Sequence, residues 1–326
     1  MNTRRAILAA AGTLPTVSLR PAHAADYPGG PVRMVVPFAA GGNIDTIARL
    51  IQPIMSRRLG QPLVIENRAG GGGNVGTDTV AKARPDGLSV LLASNGPVTI
   101  NPIIMARVPY DPDRDLAPIA LVVRVPIVLM VSNKLPVKTL SEFIAYAKAR
   151  PNQLTAGSPG TGTSNHLLIE MFNQATGGGL THVPYRASGA ALPDLMDGRL
   201  SCVFDQITTA LPQHRDGQAR IVALSPDRVP QLPEVPTFAE GGLTEITLSS
   251  YNGLFAPAGT PAEAVNALAA ALGEALADQD LRGKIVGLGT LIATLEQATP
   301  AGFSALLKRE SELSRRIALS ANIRLD

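Results

Sequence analysis

Apolar and polar positions along the chain come in blocks that read as strand, small-residue loop and helix in succession. The first block opens with an apolar run from Val32 to Val36 around Arg33, the length of a short buried strand. The loop Pro37-Phe38-Ala39-Ala40-Gly41-Gly42 follows. Asn43 then stands as an expected helix N-cap, with Asp45 in the first turn, where the helix macrodipole favours an acid. Ile47, Ala48, Ile51, Met55 and Leu59 recur at helical spacing, and Pro53 within that pattern predicts a kink or an early stop. In an open α/β sheet such a loop lies at the carboxyl edge of the sheet, where ligands bind, and its small residues let a ligand reach backbone amides.

The pattern continues. Pro62 to Glu66 and Leu88 to Ala93 read as strands; the first leads into Ala69-Gly70-Gly71-Gly72-Gly73-Asn74 and a short helix, the second ends in Ser94-Asn95-Gly96. Ile119 to Val131 is too long for one strand and carries Pro126, so it reads as two strands meeting at a crossover between domains. Thr139-Leu140-Ser141-Glu142 fits a capping box. A strand near Leu154 to Ala156 enters the hydroxyl-rich loop Gly157 to Asn165, and a helix through His166, Leu167, Ile169 and Met171 follows, repeating the design of the opening block. Ala190 to Met196 reads as a short helix, and Ser201 to Asp205, Arg220 to Leu224 and Thr247 to Ala256 as strands. Thr260-Pro261-Ala262-Glu263 predicts a helix capped by Thr260, and Thr299-Pro300 starts a last helix, both packing back on the first domain. Strands alternating with helices place the chain in the α/β class with mostly parallel sheets, and 326 residues suggest two domains.

Composition changes this picture mainly at the N-terminus. Arg4 and Arg5, the apolar stretch Ala6 to Leu19 and Ala22-His23-Ala24 have the form of a cleavable export signal, residues 1–24. Thr3-Arg4-Arg5-Ala6-Ile7-Leu8 resembles a twin-arginine signal, with a plain Sec n-region as the alternative. Removing this segment takes three arginines and no acid, leaving 26 basic against 26 acidic residues, so the basicity belongs to the signal and gives no support for nucleic-acid binding. Hydrophobic residues make up 45% and charged residues 17%, a composition that builds a sizeable core. The single Cys202 excludes an intramolecular disulfide and reads as buried and apolar.

Catalytic apparatus is sparse. Gly71-x-Gly73-x-x-Gly76 matches a dinucleotide fingerprint only because four glycines run together, and Glu66 lies at the wrong spacing to hold a ribose. No phosphate-loop lysine motif and no nucleophile elbow is present, and the histidines lack metal-ligand spacing, so neither cofactor nor metal is expected. His166, in the first turn of its helix, reads as a hydrogen-bonding residue rather than a general base. What remains is two loops rich in backbone donors, Phe38 to Asn43 and Ser158 to Asn165, each opening a helix. Facing each other across a cleft, they suit a carboxylate without any arginine.

The motifs resemble those of the Bug/TctC periplasmic solute-binding receptors of tripartite tricarboxylate transporters. The resemblance rests on Val35-Val36-Pro37-Phe38-Ala39-Ala40-Gly41-Gly42 with Asp45, Glu66-Asn67-Arg68, Ala83-Arg84-Pro85-Asp86-Gly87, Asn101-Pro102, Pro109-Tyr110-Asp111-Pro112, Gly160-x-Gly162-Thr163 with His166, His182-Val183-Pro184-Tyr185 and Phe255 to Pro261. It implies a type II-like, two-lobe periplasmic-binding-protein (venus flytrap) fold with crossover strands as hinge, domain 1 being 25–124 plus 248–326 and domain 2 being 125–247. It further implies a small organic acid held between the lobes by Phe38, Ala39, Ala40, Gly41, Gly42, Asp45 and Ser94 on one side. Ser158, Gly160, Thr161, Gly162, Thr163, His166 and Asp205 would hold it on the other. A monomeric, periplasmic, non-enzymatic receptor delivering its ligand to membrane permease subunits is the expected function. A secreted hydrolase built on Ser158 or Ser164 with His166, and a sensor signalling to a membrane partner, are the alternatives. Pro159, Pro53, and Tyr251 where an aromatic, often tryptophan, is usual depart from the family pattern.

Overall fold

The computed structural model describes residues 27–320 and 323–324; the export-signal expectation falls on residues outside those described. In chain order the elements are β1 (Val32–Val36), α1 (Asn43–Leu59), β2 (Leu63–Asn67), a 3-10 turn (Gly71–Gly73), α2 (Asn74–Ala81), β3 (Ser89–Ala93), a π-helical turn (Gly96–Ile100), α3 (Asn101–Ile104), α4 (Pro112–Asp115), β4 (Leu116–Val125), β5 (Ile127–Ser132), α5 (Leu140–Lys148), β6 (Thr155–Ser158), α6 (Ser164–Thr176), β7 (Thr181–Pro184), α7 (Leu192–Met196), β8 (Cys202–Gln206), α8 (Ile207–Arg215), β9 (Ala219–Ser225), β10 (Ser250–Pro257), α9 (Ala262–Ala277), α10 (Gln279–Gly287), β11 (Leu291–Ile292) and α11 (Pro300–Ser320).

They form two sheets, ordered β11-β4-β10-β3-β1-β2 and β7-β6-β8-β5-β9. β1 pairs in parallel with β2 and β3, and β6 with β7 and β8, while β10 runs antiparallel to β3 and β4, and β5 antiparallel to β8 and β9. The chain leaves the first sheet at Pro126 and rejoins it at Ser250. Strand side chains alternate between faces, and here both faces are covered. Val128 and Met130 of β5 enter one core while Ile127, Leu129 and Val131 enter another, which explains the unbroken apolar run in the sequence.

The second core is not built from the second sheet alone. Ile100 and Ile104, which follow β3 of the first sheet, and Ile317 and Ala318 of α11 are packed in it. The last helix therefore bridges both lobes instead of packing only on the first: Phe303 and Leu306 near its start join Tyr251 and Phe255 in the core of the first lobe.

Three local expectations are revised. Pro53 does not shorten α1, which runs unbroken to Leu59. Pro53 sits on the exposed face, and an interior proline costs about 3 kcal/mol, less than the burial of Ile47, Ile51 and Met55 supplies at about 1.5–3 kcal/mol each. Asn43 is the first residue of α1, not its cap; the cap position is Gly42, which offers no side chain. The amide of Asn43 is used elsewhere, as described below. In α9 the cap is Pro261, because the Thr260 hydroxyl turns back to the Pro257 carbonyl at 2.8 Å.

Candidate ligand site between the lobes

The carboxyl ends of β1, β6 and β8 carry the loops that meet where the lobes touch. A cavity there is lined by Phe38, Gly42, Asn43, Ile44 and Ser94 of the first lobe and by Pro159, Thr163, Ser164, Asn165, Ser188 and Gln206 of the second. Three helices begin at its wall: α1 behind Gly42, α6 behind Thr163 and α8 behind Gln206. Thr163 caps α6 by accepting the His166 amide at 3.3 Å, whereas Gly42 and Gln206 provide no side-chain cap. The first turn of α1 is nevertheless buried, with Asn43, Ile44 and Asp45 all at most 5% exposed. A buried helix start without a cap leaves amide donors for another partner, and its partial positive charge favours an anion. No lining residue of the cavity is charged.

The lobes are closed on each other here. Asn43 bridges them, its Nδ2 donating to Asn252 of β10 at 3.2 Å and its Oδ1 accepting from Thr208 of α8 at 2.9 Å. Ser164 Oγ of α6 donates to Asn95 Oδ1 at 3.1 Å. The cavity measures ≈ 20 Å³, room for about one water. Phe38 and Pro159 also line an outer vestibule of ≈ 520 Å³ with Gly70 to Gly73, Met105, Gly160, Thr161 and Pro184 to Arg186, a volume typical of small-molecule sites. Arg186 is the sole charged residue in its lining.

Comparison with known proteins decides what kind of site this is. A family profile described as "Tripartite tricarboxylate transporter family receptor", TctC, matches residues 47–308. The chain belongs to the TctC receptor family. The structure of the periplasmic binding protein BugD is 33% identical over 91% of this chain and 99% of its own, with a TM-score of 0.87. Rpa4515 of R. palustris, solved with adipate, is 33% identical over 92% and 99% at a TM-score of 0.87. MatC of Rhodopseudomonas palustris, solved with bound malate, is 34% identical over 89% and 99% at 0.86. The TctC fold is thus the two-lobe periplasmic-binding-protein fold, and its members are solute-binding receptors, not enzymes.

Within this TctC receptor the residues singled out in the sequence separate into three groups. Phe38, Gly42, Ser94 and Thr163 line the inner cavity, and Gly160 and Thr161 line the vestibule, as does Phe38. Ala39, Ala40 and Gly41 sit round the corner, against Ala187 to Ala190 and α8. Asp45, Ser158, Gly162, His166 and Asp205 are among the lining of neither cavity nor vestibule. Asp45 pins the first loop, accepting from Gly41 N at 2.9 Å, Asn67 Nδ2 at 3.0 Å and Arg49 Nε at 2.9 Å. Burial pulls its pKa up, but these donors outweigh it and hold the carboxyl below the usual range. Ser158 contacts His182, not His166, and Ser164 contacts Asn95, so the serine–histidine pairing considered for a hydrolase is not formed.

Asn165 closes the donor loop read from the sequence, but Ser188 and Gln206 were not legible as site residues. Gln206 stands at the N-cap position of α8 without a side-chain cap, and the apolar positions Ile207, Ala210 and Leu211 that directly follow the β8 strand carry the signal that could have revealed this helix. Asp205 organises this side from behind. It meets Ser188 Oγ and accepts from Gly189 N at 2.8 Å, Gln206 N at 2.8 Å and Thr209 Oγ1 at 2.9 Å. Burial pushes its pKa up to about 6 against those bonds. A folded-state pKa above the unfolded value makes the native state bind the proton more tightly, so its contribution to stability falls as pH rises from about 4 to about 6. Asp205→Asn removes that slope. Denaturant unfolding at pH 4, 5 and 6 is expected to show the wild type losing stability relative to the variant by about 1 kcal/mol per pH unit, and parallel curves refute the assignment.

Proposed function

We propose that this chain is an exported periplasmic receptor that closes its two lobes on a small dicarboxylate and hands it to the membrane permease subunits of a tripartite tricarboxylate-type transporter. The observation that carries this reading is the convergence of three helix starts, two of them without side-chain caps, on one uncharged inter-lobe cavity. One carboxylate sits at these helix starts, where backbone amides and the hydroxyl of Ser94 supply donors. The rest of the ligand extends past Phe38 and Pro159 toward the vestibule and Arg186. The relatives solved with malate and adipate support this class of guest.

Of the described residues, 27–124 with 248–320 make up the lobe that supplies Phe38 to Ser94, and 125–247 the lobe that supplies Ser158 to Asp205. Because the closed cavity holds about one water, the ligand enters with the lobes apart, and closure buries it. Among the described residues no helix is long and apolar enough to cross a membrane. The proposed receptor is a monomer that meets its permease at the membrane surface.

Thermal unfolding of protein refolded free of carried-over ligand tests the reading. Malate, adipate, citrate, glutamate and benzoate are added in turn. A ligand at a hundred times its Kd stabilises the folded state by about 2.7 kcal/mol, a rise of several degrees in midpoint. At least one dicarboxylate is expected to produce it; no response across the panel overturns the proposal.

A further inference from the structure

The loop Ser158 to Thr163 is held at both ends by a pair of stacked histidines that do not face the cavity. Within the loop, Ser158 Oγ accepts the Gly160 amide at 3.2 Å and Thr163 Oγ1 donates to the Gly160 carbonyl at 2.7 Å. From outside, the Gly162 N–H donates to His166 Nδ1 at 3.3 Å, and Ser158 Oγ lies 2.6 Å from His182 Nε2. The two rings, one on α6 and the other on β7, stack at 4.0 Å between centroids and 22° between planes. His166 is 5% exposed, and neither ring lines the cavity or the vestibule.

From this geometry we infer that His166 and His182 are positioning residues, which fix the two ends of the carboxylate-facing loop through one specific ring nitrogen each. The inference deepens the receptor reading and depends on it for the identity of what the loop holds. The arrangement needs a lone pair on His166 Nδ1, so the proton of the neutral ring belongs on Nε2, which faces Glu170 Oε1 at 3.6 Å. Two cationic rings could not stack at this distance. Burial, and then the neighbouring His166, push the pKa of His182 down to about 3, which keeps its ring neutral under Ser158. Neither imidazole has to touch the ligand. Each supplies a fixed partner to a loop whose own residues are small, and a loop held at Ser158 and Gly162 keeps its amides aimed without needing to be ordered when the ligand arrives.

The nitrogen specificity gives a crossed test. Asparagine places its amide near the Nδ1 position of histidine, and glutamine near the Nε2 position. His166→Asn and His182→Gln are therefore expected to keep malate and adipate affinity within about threefold of wild type by calorimetry, and His166→Gln and His182→Asn to lose at least about tenfold. Hydrogen exchange of the Ser158 to Thr163 amides, measured without ligand, is expected to follow the same cross, rising at least about tenfold in the second pair only. Equal effects of Asn and Gln at either position, or unchanged exchange in all four variants, overturn the inference. If neither acid binds the wild type, the dicarboxylate reading fails, while the exchange arm still decides whether the histidines position the loop.

Discussion

Gly42→Val is expected to abolish ligand binding in a protein that still folds. A Cβ built on Gly42 lies 3.3 Å from the Ala187 Cβ and 3.5 Å from the Ser188 backbone across the interface between the lobes, so the bulk of valine, two methyl carbons more, presses on a contact that is already tight at Cβ. Gly42 has φ −80°, which any residue adopts, so the substitution brings bulk without backbone strain. The expected loss is at least about 100-fold in affinity, or about 2.7 kcal/mol, measured by calorimetry with malate or adipate. Gly41→Val is the matched control. Gly41 has φ +81° and nothing within 4 Å of a built Cβ, and it faces away from the inner cavity. Its cost falls on the backbone conformation, on the order of 1–3 kcal/mol of stability, with a smaller effect on affinity. A Gly42→Val protein that binds normally would mean that closure does not bring these loops together.

Gly72→Ala is the second large effect. Gly72 belongs to the four-glycine run, where a built Cβ would stand 2.2 Å from the Thr161 carbonyl oxygen of the opposite lobe and 3.3 Å from Asn101 Nδ2. The obstructing atom is backbone, so a side-chain rotation does not relieve it; either the loop Gly160 to Gly162 shifts or the lobes stay apart. The run is pinned from below, since Asn101 Nδ2 donates to the Gly72 carbonyl at 3.3 Å and to Asn74 Oδ1 at 2.7 Å, and Tyr110 donates to the same Asn74 oxygen at 2.8 Å. Small-angle scattering with saturating malate is expected to show the wild type compact and Gly72→Ala expanded, with at least about tenfold weaker binding. Equal compaction in both would remove the glycine run from the closing surface.

This second case shows what the sequence made legible and what it did not. The strands were readable because strands buried on both faces leave apolar runs bounded by glycine and proline, as in Val32 to Val36 and across the Pro126 break. The loops at their ends were readable as donors for an anion because they lack side chains that could do anything else. β7 was missed because Thr181–Pro184 is a half-exposed edge strand of four residues without an apolar run. α8 was missed because it is short and carries Pro212, and with it went Gln206 and the third helix start. Asn43 was assigned as a cap on residue type alone. Its partners lie 209 and 165 positions away in the chain, and a pattern read over a few residues contains no trace of them. The glycine run matched a cofactor fingerprint only through its composition; its role as a surface on which the other lobe lands depends entirely on three-dimensional contact.

The seating of Ile100 and Ile104 in the core of the second sheet, with Ile317 and Ala318 beside them, has a consequence for how the protein can be taken apart. Cutting the chain at its two crossings would leave greasy sockets on one fragment and stranded plugs on the other. Such halves are expected to clump when made separately and to recover only when mixed. Engineers who graft one half of this receptor onto a foreign scaffold will have to carry those four side chains along.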